Sequence, residues 1–200
     1  MIYYLGGGTC CGKSTVTEHL RGRYGLCVYK LDDDLFDFLR RMAEEGHPLA
    51  AAELTRSPEE AWMRDPALLC EETILLYRDM APYWQAALAA RPDDRPVLAE
   101  GAGFMPELMQ AIGVPRDRYL CMAPTRSFQY DRYARRPWID QILAGVSDRE
   151  AAFRNWMERD VLFADRMMRE AEALGYPTLR IDGSRSIEET AGIIAKSFHL

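Results

Sequence analysis

The sequence predicts an α/β fold in which short parallel strands alternate with helices. Two observations carry this expectation. Five apolar runs of five or six residues (1–5, 26–31, 96–100, 118–122 and 176–181) are each followed by a stretch with helical periodicity. Acids or glycines stand directly after the first, second, third and fifth runs, at the rim where open parallel sheets place their ligands. A length of 200 residues with 48% hydrophobic side chains suits one domain with a real core, spanning 1–200.

The first run leads into Gly7-Gly8-Thr9-Cys10-Cys11-Gly12-Lys13-Ser14-Thr15, which fits G-x-x-x-x-G-K-[ST] in the order strand, glycine-rich loop, helix. Glycines at positions 7 and 12 let backbone N–H groups approach a polyphosphate, and the helix that follows adds its positive end. Lys13 suits the β- and γ-phosphates, and the Ser14 hydroxyl suits Mg²⁺. Only three of the 25 basic residues are lysines, so a lysine at position 13 is not background.

The second run, 26–31, ends in Asp32-Asp33-Asp34. If the chain stays extended there, Asp32 and Asp34 point one way and Asp33 the other. Asp34 is equally suited to cap a helix, because Leu35, Phe36, Leu39 and Met42 recur at helical spacing. Residues 35–91 read as mostly helical, broken at Gly46-His47-Pro48, with helix starts at Ser57-Pro58-Glu59-Glu60 and Asp65-Pro66 and a kink at Pro82. So much helix between two strands exceeds a simple crossover and suggests an acceptor-binding insert. Trp62, Met63, Tyr83 and Trp84 line a pocket there or belong to the core.

The third run ends in Glu100-Gly101-Ala102-Gly103, where Glu100 either supports Mg²⁺ or a substrate or is a buried acid satisfied by amides. A short helix is expected over 104–112. After the fourth run, Arg126, Arg132, Arg135 and Arg136 fall within 11 residues. A helix from Thr125 would gather the last three on one face, as a phosphate clamp or as a solvated surface. Ser147-Asp148-Arg149-Glu150 reads as a capping box for a helix to about 174, which Gly175 stops. The loop Asp182-Gly183-Ser184-Arg185 after the fifth run lies at the rim suited to a nucleotide base, before a last helix capped at Ser186.

A net charge of −6 argues against nucleic acid or an anionic membrane as the main partner and leaves small molecules. Five cysteines form no C-x-x-C pair, three histidines lack ligand spacing, the first residues read as a strand with neither a basic n-region nor a long apolar h-region, and no run approaches membrane length. The expectation is a soluble cytoplasmic protein. Cys10 and Cys11 fill variable loop positions or are sensitive to oxidation.

Taken together, the glycine-rich loop, the acids after strand two, Glu100-Gly101, the arginine segment and the Asp-Gly-Ser loop resemble the small P-loop kinases, a group that includes nucleoside monophosphate kinases, shikimate kinases and chloramphenicol phosphotransferase. The resemblance implies a P-loop NTPase fold, with a five-stranded parallel sheet of order 2-3-1-4-5, helices on both faces, a helical acceptor insert at about 35–91 and an arginine-bearing lid at about 125–150. It implies ATP and Mg²⁺ as cofactors, with Gly7 to Thr15 on the phosphates. By the same resemblance Asp34 takes the proton of the acceptor hydroxyl, Asp32 contacts Mg²⁺ through water, and Asp33 substitutes for either. Arg132 and Arg136 match lid arginines, Arg126 flanks the adenine beside Gly183 and Ser184, and Glu100 and Gly101 face the substrate. Strand three lacks the usual Asp, so metal support falls to Glu100 or Asp32 beside Ser14. For a nucleotide acceptor, Arg40 or Arg41 would meet its phosphate.

The expected activity is transfer of the γ-phosphoryl group of ATP to a hydroxyl of a small molecule, with a nucleoside or nucleoside monophosphate as the alternative acceptor. D-x-x-G and N-K-x-D, the marks of a GTP-dependent switch, are absent from the sequence. A nucleotide-binding protein without catalysis is disfavoured by the intact Gly12-Lys13-Ser14 and the carboxylates.

Overall fold

The structure, a computed structural model, describes residues 1–91 and 94–200. Five parallel strands run β1 (Ile2–Gly7), β2 (Cys27–Lys30), β3 (Val97–Glu100), β4 (Tyr119–Pro124) and β5 (Thr178–Ile181), in spatial order β2-β3-β1-β4-β5. This is the order expected. Alternation along the strands sends Tyr4, Tyr29, Ala99 and Cys121 to one face and Tyr3, Leu5, Leu98 and Met122 to the other.

The second face is covered by α1 (Lys13–Tyr24) and the C-terminal α10 (Ile187–Ser197), with Val16, Leu20, Ile194 and Phe198 as the buried contacts. The first face carries α2 (Leu31–Glu44), α5 (Pro66–Ala89), the short α6 (Pro106–Ala111) and α9 (Arg149–Ala173). Trp84 of α5 and Phe104 lie wholly buried there, edge to face at 5.1 Å. Two short helices, α3 (Pro48–Thr55) and α4 (Pro58–Trp62), stand between α2 and α5, and α7 (Arg126–Ala134) and α8 (Ile139–Ile142) stand between β4 and α9. These last pieces share a smaller cluster in which Tyr133, Ile139 and Trp156 are buried, with Trp62 and Cys10 packed against it.

Several local expectations hold. Ser57 and Ser186 form capping boxes with Glu60 and Glu189, and Asp65 caps α5. Others are corrected. The three consecutive acids are not extended: α2 begins at Leu31, so Asp32, Asp33 and Asp34 form its first turn, where the helix dipole favours acids and successive side chains diverge by about 100°. As expected, α5 runs on past Pro82, to Ala89. The cap of α9 is Asp148, which accepts from Ala151 N, whereas Ser147 donates through N and Oγ to Glu59 on α4, each at 2.7 Å. Arg135 and Arg136 follow α7 and are not part of it. Among the described residues, no helix is long and apolar enough to cross a membrane.

Glycines report how closely the backbones approach. A Cβ on Gly6 would stand 2.1 Å from the Phe104 carbonyl oxygen, whereas one on Gly192 in α10 would meet nothing within 4 Å. Gly6→Ala should therefore lower stability by at least about 1–3 kcal/mol, as overpacking does. Gly192→Ala should raise it by roughly 0.5–1 kcal/mol through helix propensity. Urea unfolding of the two variants checks both signs.

Candidate active site

The glycine-rich loop is built by close approach. Gly7 has φ +104°, and a Cβ there would strike the Met122 carbonyl oxygen at 2.0 Å; a Cβ on Gly8 would meet the Ala164 methyl at 2.7 Å. Gly8 N donates to Met122 O at 2.8 Å, which ties the loop to β4. Gly12, at φ +84°, begins α1 without a side-chain cap, leaving the first-turn N–H groups available to an anion. Cys10 is also left-handed, at φ 60°. The buried Lys13 ammonium points into the loop, donating to Gly8 O at 2.5 Å and Gly7 O at 3.4 Å.

A cavity of about 540 Å³ opens over this loop. Its floor is Cys10, Cys11, Gly12 and Thr15, and its walls are Arg132, Arg135, Arg136 and Gly183. Three arginines from one segment thus face the helix end that would hold phosphate. Arg136 donates to Cys10 Sγ at 3.5 Å and lies over the rings of Tyr133 and Trp138 at 4.9 and 5.3 Å. Arg132 lies over Phe128 at 4.9 Å. Arg135 also pairs with Asp131 at 2.6 Å. Phe128, Ile181 and Ile187 give the far end an apolar wall suited to a base.

Two expected members lie elsewhere. Arg126 is ion-paired to Glu158 and borders a separate surface cleft with Tyr130 and Arg154, so it does not flank this cavity. Ser184 folds back on its own turn, donating through N and Oγ to Asp182, while Gly183 packs under Phe128.

The carboxylates gather at the other end of the loop. Glu100 is 4% exposed and lies near Ser14, Lys13, Asp32 and Lys30. Burial pushes its carboxyl above the usual range, and the Ser14 hydrogen bond and the Lys13 charge pull it back only in part. A buried carboxylate beside a serine hydroxyl and a second carboxylate supplies hard oxygen donors, so Ser14, Glu100 and Asp32 fit Mg²⁺. Among the described residues, no group of three His, Cys, Asp or Glu side chains forms a closed metal cage. An ion here would keep water or phosphate ligands. The neighbouring Gly101 has a packing reason of its own, because a Cβ there would meet the Leu31 Cβ at 2.6 Å.

Helical geometry separates the three acids. Asp32 shares the face of Leu35 and Leu39 and lies near Glu100 and Tyr77, whose hydroxyl ionisation is pushed up by burial and by that charge. Asp34 sits by Tyr29, raising that hydroxyl in addition to burial. Asp33 is exposed near Lys30 and Tyr29.

Leu35, Leu39 and Tyr77 line a second cavity of about 210 Å³, closed on its other sides by α3, α4, α5 and α9. Its cations are Arg56 and Arg159. Arg40 instead faces solvent, paired with Asp37 at 2.5 Å, and Arg41 pairs with Glu45 at 2.9 Å. Arg56 meets Glu72 at 2.9 Å and Glu53 at 3.4 Å, and Glu72 also pairs with Arg64. Arg159 donates to Thr73 Oγ1 at 3.1 Å, lies over Trp62 at 5.2 Å and pairs with Asp160 at 2.6 Å. The sequence reading missed Arg56, Arg159 and Asp160. For Asp160 a signal existed: it falls in the apolar stripe of Trp156, Phe163, Ala164 and Met167, where an acid needs partners.

No protein-family model matches the sequence, and no curated protein matches it. Among solved structures, shikimate kinase from Bacteroides thetaiotaomicron superposes with a TM-score of 0.54 at 14% identity, over 100% of this chain and 99% of that one. TT1252 from Thermus thermophilus gives 0.48 at 20% identity, over 98% and 97% of the chains. Shikimate kinase from Acinetobacter baumannii in complex with shikimate gives 0.47 at 16%, over 98% and 90%. The first likeness shows the fold: a five-stranded parallel sheet flanked by helices, as in a P-loop kinase.

The raised Glu100 carboxyl gives a pH prediction. The unfolded chain releases this proton at lower pH than the folded protein, so the stability that the protonated form contributes is present in acid and lost as pH rises through the folded value. Glu100→Gln should raise the melting temperature of the ligand-free protein at pH 7, with the gain shrinking toward pH 4. A gain that grows toward acid would contradict the assignment.

Proposed function

We propose that the chain is an ATP-dependent kinase that phosphorylates a hydroxyl of a small molecule. The observation that carries this reading is the position of Asp32. On one side it neighbours Glu100, which lies near Ser14 and Lys13 of the phosphate loop, and on the other it shares a helix face with two residues of the smaller cavity. A carboxylate that lies between Glu100 and Tyr77 of the smaller cavity is suited to take a proton from an acceptor hydroxyl in line with a γ-phosphate.

In this reading the triphosphate lies along Gly7 to Thr15, its oxygens held by loop amides and Lys13, and the base lies against Phe128 and Ile187. The acceptor oxygen forms a bond to the γ-phosphorus while the bond from that phosphorus to the β–γ bridging oxygen breaks. The hydroxyl proton passes to Asp32, and ADP leaves. Arg132 and Arg136 neutralise charge on the transferring group from the segment at about 125–150, which acts as a lid and excludes water. Mg²⁺, held through Ser14 and Glu100, would neutralise the β- and γ-oxygens. Choosing Asp32, beside Glu100, moves the base from Asp34, which the family resemblance favoured, to the acid two residues earlier on the other side of the helix.

The helices between β2 and β3 form the acceptor site. A cavity of about 210 Å³ lies below the roughly 300–1,000 Å³ of sites for drug-sized ligands, which favours a compact acceptor. A nucleoside monophosphate has Arg56 and Arg159 in its favour and this size against it. The five free cysteines suit a reducing cytosol.

ADP release with Mg²⁺ and ATP, measured against a panel of compact polyols, hydroxy acids, amino alcohols and nucleosides, tests the reading. One class should stimulate turnover. Asp32→Asn should lower kcat by at least about 100-fold with the ATP KM little changed, while Asp34→Asn costs less than about tenfold. The reverse ranking would return the base to Asp34.

A further inference from the structure

Asp160 lines neither cavity, yet it touches three parts of the site. It is 3% exposed, in the middle of α9. Thr9 of the phosphate loop donates to its Oδ2 at 2.7 Å, and Tyr133 of the arginine segment donates to the same oxygen at 3.2 Å. Its Oδ1 faces Arg159 Nε at 2.6 Å, and Arg159 lines the acceptor cavity. An unpaired carboxylate at such depth would be costly, and these three partners are what make it tolerable. Loop, lid segment and acceptor cavity therefore share one charge.

A second path joins the same parts through aromatic rings. Arg159 lies over Trp62, which stacks on Trp156 at 4.4 Å; Trp156 is 5.9 Å from Trp138, and Arg136 lies over Trp138. Two hydrogen-bonded contacts fasten the backbones: Asn155 Nδ2 donates to Trp62 O at 3.0 Å, and Ser147 donates to Glu59. The lid segment is thus seated on α4 of the acceptor insert, with Asp160 beneath the seat.

Resting on the kinase reading above, we infer that Asp160 is a positioning residue through which nucleotide binding at the loop orders the acceptor cavity. An arrangement of Thr9 set by bound triphosphate is passed to the carboxylate, and from it to Arg159 and to Tyr133 together, so both walls of the reaction site are set by one event. Asp160 touches neither substrate. Its effect falls on Arg159 and on the lid.

Hydrogen exchange followed by mass spectrometry, with Mg²⁺ and the non-hydrolysable AMPPNP as probe, separates this role from a merely structural one. In the wild-type protein AMPPNP should slow exchange over residues 48–65 at least threefold, although the nucleotide touches none of them. Asp160→Asn should raise the AMPPNP dissociation constant about tenfold and abolish the slowing over 48–65. Thr9→Val and Tyr133→Phe each remove one hydrogen bond without stranding a charge, and should give a smaller slowing than wild type. They decide the question if Asp160→Asn does not fold. A folded Asp160→Asn that still protects 48–65 as the wild type does, or neutral variants with a full response, would overturn the inference. AMPPNP binding with no response at 48–65 in the wild type overturns it and leaves the kinase reading standing. Failure to bind AMPPNP overturns both.

Discussion

Backbone without side chains passes through the centre of the molecule at residues 6–8, and the rest of the structure is arranged around that passage. Added Cβ atoms at Gly6, Gly7 and Gly8 would strike Phe104, Met122 and Ala164 at 2.1, 2.0 and 2.7 Å. The end of β1 is thereby clamped between the segment after β3, the end of β4 and the middle of α9. Only a chain held that closely can aim Gly12, Lys13 and the first turn of α1 at one point. The clamp also fixes where Thr9 stands relative to Asp160, so the packing of three glycines governs the electrostatics of the site.

Charge in the site is distributed in two unlike halves. Over the loop, Arg132, Arg135, Arg136 and Arg185 line a cavity beside a helix N-terminus, and no carboxylate among the described residues lines it. In the smaller cavity each cation is already matched: Arg56 with Glu53 and Glu72, Arg159 with Asp160. Partly buried pairs of this kind contribute little net stability, because desolvation offsets much of the Coulomb gain. Their value is geometric. They hold guanidinium groups in fixed orientations beside Trp62 and Tyr77.

Much of the fold was legible in the sequence because its signals are local. The glycine-rich loop, three of the helix caps and the five strands each depend on a handful of adjacent residues. Boundaries were less so: Leu31 continues an apolar run, and nothing local says that the helix begins before the acids rather than after them, yet that choice sets the direction in which each carboxylate leaves the chain. The arginines of the smaller cavity were harder still. Arg40 and Arg56 look alike in sequence, and only the packing of α3 and α4 against α5 turns one outward and the other inward. Glu158-Arg159-Asp160 reads as a solvated triplet until the apolar stripe through Trp156 and Phe163 is seen to include Asp160.

The proposed function requires the loop from Gly7 to Thr15 to hold the triphosphate of ATP with Lys13 as its principal cation. Calorimetric titration of Mg²⁺·ATP into the wild-type protein and into Lys13→Ala tests it most directly. The account predicts one site per chain in the wild type and an affinity at least about 100-fold weaker in the variant, the loss of a charge-assisted hydrogen bond to phosphate in a buried setting. Equal affinity in the two proteins, or no binding to the wild type, would contradict it.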